Sequence, residues 1–329
     1  MEELSRFNLV GRSANFQKTV ARIHRMAQLD ATVRIVGETG TGKELAARAI
    51  HYLGARTERP FVPVNCGALA DTLVESELFG HERGAFTDAK AASSGLIGEA
   101  AGGTLFLDEV DTLSLKAQAS LLRFLQDRTY RRVGGGGLRQ ADVRIIVASN
   151  ADLDVLVAER RFRQDLLYRL SVLTLCMPPL RERQEDVVLI AQTMLQRLSH
   201  QYRIPLKSLH ADALGFLRAY PWPGNVRELE NVIHREFLMC EESILRLVDT
   251  RQELVGDADA SPTIRPRAII AFREAKARAV AEFERNYVAD LLNRTAGNIS
   301  HAARMAMQDR SAFGKMVRKY GLGSEDAIG

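Results

Sequence analysis

The sequence predicts an α/β protein: a parallel sheet built around a phosphate loop, a helical subdomain behind it, and an all-α segment at the C-terminus. Three observations point there. Through about residue 240, short β-branched runs alternate with helical patterns, the order that gives parallel strands covered by helices. The run Gly37-Glu38-Thr39-Gly40-Thr41-Gly42-Lys43 lies between the first such strand and a helix. Past a Pro- and Gly-bearing stretch at 250–267 the pattern is helical alone.

Along the chain, Val33–Val36 is the first β-branched run, and runs at 104–107, 143–148 and 172–175 follow. Residues 116–126 carry a helical pattern between the second and third runs. The glycines from Gly134 to Gly137 read as a flexible loop tip. Pro178-Pro179 closes the sheet-forming part. Residues 185–240 are helical in pattern, broken once at Pro221-Trp222-Pro223-Gly224. These breaks divide the chain into an α/β core at 1–179, a helical subdomain at 180–249, a linker at 250–267 and a C-terminal domain at 268–329.

The 329 residues exceed one ordinary core and suit two or three domains. No apolar run reaches the roughly 18 residues of a membrane helix, and the first residues lack the basic start and apolar run of an export signal. Cys66, Cys176 and Cys240 are far apart and odd in number, which fits a reducing cytoplasm better than a disulfide framework or a zinc site. The net charge of +4 is uneven: residues 263–320 hold 12 Lys/Arg against 5 Asp/Glu. That excess suits either phosphate neutralisation or a solvated helix face.

The glycine run carries the chemistry. Its backbone N–H groups can wrap phosphates, the helix that follows favours their negative charge, and Lys43 supplies a point charge for the terminal phosphates. The eighth position is Glu44, where Ser or Thr usually helps to hold magnesium, so more of the metal work falls to Asp108. Asp108 and Glu109 end the second run, at the sheet edge where open α/β sheets bind ligands. Asp108 would orient Mg²⁺ and Glu109 would polarise an attacking water on ATP. Asn150, at the end of the third run, is either a phosphate sensor or a turn residue. Arg163 and Arg169 are six residues apart, so they do not share a helix face, and read alone they suit a solvated surface.

At the C-terminus, residues 283–292 form one amphipathic helical pattern. Asn298-Ile299-Ser300 can cap a second helix to about Met307, and Asp309 or Ser311 a third that runs to Tyr320. Two helices joined by a short turn suggest helix-turn-helix, with Arg310, Ser311, Lys315, Arg318 and Lys319 reaching DNA phosphates and base edges. A small helical oligomerisation domain is the other reading of the same pattern.

Together these segments resemble the AAA+ ATPase domain of bacterial sigma-54-dependent transcription activators. The resemblance covers about residues 9 to 235. It rests on Gly37 to Glu44 (Glu44 included, as a family trait), on Ser76-Glu77-Leu78-Phe79-Gly80-His81-Glu82, on Gly84-Ala85-Phe86-Thr87-Asp88-Ala89, and on Gly103 to Glu109. Phe162 to Leu170 and Trp222-Pro223-Gly224-Asn225-Val226-Arg227-Glu228-Leu229 complete it. The C-terminal pattern is similar to the Fis-type DNA-binding domain that ends these activators, with dimeric contacts to DNA.

The resemblance implies an AAA+ parallel-sheet core with a helical lid, closed into a ring, a hexamer in expectation, with ATP between neighbours. It implies arginine fingers at Arg163 and Arg169, the lid's sensor arginine at Arg227, a first sensor at Asn150, and Asn65 as the partner of Glu109. It implies contact of Phe86 and Thr87 with sigma-54 RNA polymerase, driven by ATP hydrolysis, on DNA at upstream enhancer-like sites. The family's loop has glycine where this chain has Asp88, which adds a negative charge per subunit and removes the closest backbone approach. The alternative expectation is therefore a DNA-binding regulator whose ATPase is uncoupled from sigma-54, acting as a repressor or with another sigma factor. The core begins within about ten residues of Met1, ahead of which such activators often carry a sensory domain. Either the chain is naturally sensor-free and governed by a separate regulatory protein or by its own expression, or an N-terminal part is missing.

Overall fold

The computed structural model describes residues 6–70, 73–86, 89–247, 284–285, 287–289, 291–292, 295 and 298–320. The chain forms two compact units, Met1–Thr250 and Arg251–Gly329.

The first unit is centred on a five-stranded parallel sheet of β1 (Val33–Val36), β2 (Phe61–Asn65), β3 (Thr104–Asp108), β6 (Arg144–Ser149) and β7 (Leu173–Cys176), in the order β2-β3-β6-β1-β7. Every pairing is parallel. Strand β6 is buried throughout, and its side chains alternate between the two faces. Ile145 and Val147 join a core with Leu105, Leu107 and Leu121, whereas Ile146 and Ala148 join a second core with Phe16, Ile35 and Ile50. Helices α1 (Ala14–Ala27) and α2 (Lys43–Tyr52) cover one face, and α5 (Leu115–Asp127) and α7 (Gln164–Leu170) the other. Short helices α3 (Val74–Phe79), α4 (Gly95–Glu99) and α6 (Leu153–Ala158) fill the crossovers.

Four of these strands stand where the β-branched runs place them; β2 is the strand that the runs do not reveal. Its sequence contains Pro63, which lacks the N–H an internal strand needs. Its place in the order resolves the conflict, because β2 is an edge strand, where proline is tolerated. The glycine stretch at 134–137 has a definite place in the fold. It joins β4 (Thr129–Tyr130) to β5 (Arg139–Gln140) in a small antiparallel hairpin. Gly134 there lies so close to Ala85 that an added Cβ would stand 2.7 Å from the alanine Cβ.

The helical subdomain holds α8 (Gln184–Tyr202), α9 (Ala211–Ala219) and α10 (Asn225–Met239), packed around Leu195, Leu217, Trp222, Ile233 and Phe237. It is broken twice, not once. The earlier break begins at Arg203, whose left-handed φ of 55° ends α8, and contains β8 (Ser208–Leu209), which pairs with β9 (Ile244–Leu245). Two buried charges join this subdomain to the core. Asp186 accepts from Ser13 N and Ser13 Oγ at 2.8 and 2.7 Å and from Arg183 Nε at 3.0 Å. Arg183 Nη2 donates to Val10 O at 2.6 Å, and its guanidinium lies 3.6 Å from the Phe16 ring centre. Burial pushes the Asp186 carboxyl up, but these hydrogen bonds outweigh it and hold the group below its ordinary range.

In the second unit, α11 (Ile299–Met305) and α12 (Arg310–Lys319) are joined by four residues. Asn298 Oδ1 caps α11 by accepting from His301 N at 3.1 Å. Val288, Leu291, Ala302, Phe313 and Val317 form a small core, so α12 buries one face and leaves Arg310, Ser311, Lys315, Arg318 and Lys319 exposed. The expected linker at 250–267 lies outside the described residues.

Candidate nucleotide site

The loop from Gly37 to Gly42 leaves the C-terminal end of β1 and enters α2. Gly42 caps α2 with a left-handed φ of 93°, and Lys43 is the first helical residue. Its buried Nζ donates to Gly37 O at 2.8 Å, to Glu38 O at 3.1 Å and, in a short contact, to Asn150 Oδ1. Burial lowers the Lys43 pKa, opposed by Asp108 and reinforced by the positive charge of Arg227. Thr41 Oγ1 donates to Glu38 O at 2.8 Å and tightens the turn.

The cleft over this loop has a volume of about 190 Å³ and is lined by Thr39, Gly40, Gly42, Lys43, Glu44, Leu45, Asp108, Glu109, Asn150, Val226, Arg227 and Glu230. It therefore gathers residues from the loop and the start of α2, from the ends of β3 and β6, and from the first two turns of α10. An adjoining cavity of about 290 Å³ shares Gly42, Leu45, Val226 and Glu230 with it. That cavity is largely apolar, with Leu9, Val10, Phe16, Ile190 and Met194 in its walls. One end thus offers cations and backbone, the other an apolar slot, a division that matches a nucleoside triphosphate. No sequence motif marks the apolar end, because its walls come from residues 8–16 and from α8, far apart in the chain.

Glu109 adopts a left-handed backbone, φ 53° and ψ 44°. Asp108 Oδ1 accepts from Glu109 N at 2.9 Å. The Glu109 carboxylate lies over Gly67, where an added Cβ would stand 2.7 Å from Glu109 Oε2. Gly67 is a neighbour of Glu109 that the sequence motifs do not mark, since only the folded turn brings the two together. Asn65 sits in register with Asp108, and its Oδ1 accepts from Gly67 N at 2.8 Å. Among the described residues no hydrogen bond joins Asn65 to Glu109, although both side chains lie against Gly67.

Glu44 lines the cleft, but its carboxylate pairs with Arg48 at 2.8 Å along the helix. Among the described residues no group of three or more His, Cys, Asp or Glu could hold a metal alone. The donors fit Mg²⁺ nonetheless, since that ion commonly takes one or two carboxylates and completes its shell with phosphates and water; Asp108 is one of four carboxylates that line the cleft, with Glu44, Glu109 and Glu230.

Glu38 contributes its backbone to the loop and its side chain elsewhere. Its carboxylate accepts from Arg181 Nη1 and Nη2 at 2.7 and 2.6 Å and from Asn225 Nδ2 at 3.2 Å. The Arg181 bonds, then the Asn225 bond, bring its pKa down to about 2.

Arg163 and Arg169 do not line the cleft. Arg163 precedes α7 and forms a bidentate pair with Asp165 at 3.1 and 2.7 Å. Arg169, in the last turn of α7, donates to Leu125 O at 3.4 and 3.3 Å. The loop at 84–89 is closed by Gly84 N donating to Ala89 O at 2.8 Å. Phe86 is 36% exposed and meets His81 edge-on, with ring centres 5.0 Å apart. Arg132 and Arg139 of the β4–β5 hairpin both reach Glu82 at the base of the loop, at 3.1 and 3.4 Å. Thr87 and Asp88 lie outside the described residues.

A parallel sheet in this order, a phosphate loop, an acidic pair on the neighbouring strand end and a helical lid that reaches over the loop define a protein of the AAA+ nucleotide-binding class. Residues 9–176 match the sigma-54 interaction domain family, and residues 181–266 match the AAA+ ATPase lid domain. The chain belongs to the sigma-54 interaction domain family. It is 40% identical to the nitrogen fixation protein VnfA of Azotobacter vinelandii, over 97% of this chain and 60% of that protein. It is 40% identical to the transcriptional regulatory protein GlrR of Escherichia coli, over 99% of this chain and 70% of GlrR. Among solved structures, NtrX from Brucella abortus in complex with ADP aligns with a TM-score of 0.72 at 33% identity, over 95% of this chain and 68% of that one. NtrX in complex with ATP aligns with a TM-score of 0.69 at 33% identity, over 95% and 69%. The chain thus spans roughly 60–70% of the length of these relatives.

Proposed function

We propose that the protein binds DNA through its C-terminal domain and hydrolyses ATP to remodel sigma-54 RNA polymerase at promoters, thereby activating transcription. The observation that carries this reading is the cleft itself, in which Lys43, Asp108, Glu109, Asn150 and Arg227 converge beside an apolar slot. Lys43 and the loop N–H groups bind the phosphates, Asp108 holds Mg²⁺ together with them, and Glu109 polarises the water. Asn150 senses the terminal phosphate, a role supported by the bond that its Oδ1 accepts from the Lys43 ammonium. The ATP complex of NtrX supports the choice of nucleotide.

Arg163 and Arg169 act as fingers on a neighbouring subunit's ATP in a ring, a hexamer on the family's pattern. Their position outside their own cleft supports action in trans, and fingers of this kind are worth roughly 10³- to 10⁵-fold in rate. Phe86, Thr87 and Asp88 contact sigma-54. The α11–turn–α12 pair is a helix-turn-helix, with Arg310, Ser311, Lys315 and Arg318 on DNA; Lys319 is paired with Glu284 at 2.8 Å and reaches a phosphate only from the edge of that surface. The match to GlrR extends over 99% of the chain and so includes this segment. Among the described residues no helix is long and apolar enough to cross a membrane, and the work of the protein belongs in the cytoplasm with its polymerase.

Lys43→Ala tests the assignment of the site. It is expected to abolish ATP hydrolysis while leaving DNA affinity, with its steep decline in salt, as in the wild type. Hydrolysis that survives the substitution contradicts the reading. Asp88 favours a second reading, in which the ATPase no longer engages sigma-54. Regulation that persists in a strain lacking sigma-54 supports that reading against the first.

A further inference from the structure

We propose that Glu38, Arg181 and Asn225 are positioning residues that fasten the helical lid to the phosphate loop and so set Arg227 against the nucleotide. The proposal rests on the ATP-binding reading of the cleft and adds a set of residues that never touch ATP through their side chains.

Three consecutive loop residues are each tied to the lid side. The Glu38 carboxylate takes a bidentate pair from Arg181 and a third bond from Asn225. Thr39 O accepts from Asn225 Nδ2 at 3.0 Å, and Gly40 O accepts from Val226 N at 3.0 Å. Asn225 is wholly buried, and its left-handed φ of 54° is one that asparagine adopts more readily than most residues. Its Oδ1 accepts from Leu180 N at 2.8 Å, so one amide holds the loop, the lid entry and Glu38 together. Gly40 permits the contact: a Cβ there would stand 2.2 Å from Gly224 O.

Residues 225 and 226 are the first turn of α10, and Arg227 follows them directly into the cleft. Pinning 225 and 226 to loop carbonyls therefore fixes where the Arg227 guanidinium stands before and after phosphate arrives. Glu38 and Arg181 are about half exposed, so their pair adds little to stability by itself. Its consequence lies in geometry, since a planar bidentate pair sets orientation as well as distance. The coupling is reciprocal: phosphate that orders the loop also orders the lid.

The test is a double-mutant cycle in the full chain, read by calorimetric binding of Mg·ADP and by the KM and kcat of ATP hydrolysis. Arg181→Met is expected to weaken ADP binding and raise KM by about tenfold, with kcat changed less than about threefold. Glu38→Gln is expected to act in the same direction, and Arg181→Lys to restore part of the loss. In an Arg227→Ala background, Arg181→Met is expected to add less than about a twofold effect, because its action passes through Arg227. A full loss repeated in that background overturns the proposal, as does wild-type binding by Arg181→Met. If the wild type hydrolyses ATP and only the cycle fails, the positioning role alone is lost. If the wild type neither binds ADP nor hydrolyses ATP, the ATP reading fails and this inference with it.

Discussion

His51 shows how much one buried side chain can decide. It lies on α2, the helix that begins with Lys43, and is almost wholly buried. Its Nε2 faces Arg59 O at 3.2 Å, so that nitrogen carries the proton, and its Nδ1 accepts from Thr104 Oγ1 at 2.9 Å. Burial lowers its pKa below the ordinary 6.5, with Arg144 and Arg56 adding to the effect against the Arg59 carbonyl. The unfolded chain therefore takes up this proton first, and stability is lost as pH falls from 6.5 through the folded value. The melting temperature is expected to fall between about pH 7.5 and 5.5 more steeply in the wild type than in His51→Gln. Equal slopes would mean that other groups set the pH response. At this scale the sequence is legible where chemistry is local: Lys43, Asp108 and Glu109 stand out by residue type and spacing. Gly67 does not, because its closeness to Glu109 exists only once Glu109 folds back over it.

At the scale of elements, legibility follows from where each strand or helix is covered. Strand β6 is buried on both faces and declares itself as a run of apolar residues. Strand β2 is half-exposed, carries Pro63 and does not stand out as a strand until its edge position is known. Helix α10 ends on another buried charge that pattern alone does not expose. Lys207 is 8% exposed; its Nζ donates to Phe237 O at 2.8 Å and, in a short contact, to Cys240 O, at the end of α10. A cation there satisfies carbonyls that the helix leaves open and complements its dipole. Lys207→Met is expected to cost about 1–3 kcal/mol by leaving those carbonyls buried and unpaired. The sole tryptophan, Trp222, is 1% exposed in the same lid core, so its fluorescence during urea unfolding reads the loss. An unchanged midpoint would show that the carbonyls find other partners.

For the whole molecule, charge is uneven along the chain: residues 1–262 are almost neutral, whereas in residues 263–320 basic side chains outnumber acidic ones by more than two to one. The motifs of the phosphate end could be read from the sequence because they are contiguous. The apolar slot could not, since Leu9, Phe16 and Met194 meet only once the lid is docked, and neither could the attachment of Glu38 to Arg181 across 143 positions. The proposed function is decided by promoter opening with purified sigma-54 RNA polymerase, with the intact protein at its own upstream sites and ATP present. The account predicts open complexes with the wild type and ATP, and none with Lys43→Ala or without nucleotide. A wild-type protein that binds the upstream DNA and hydrolyses ATP, yet opens no promoter, would contradict it.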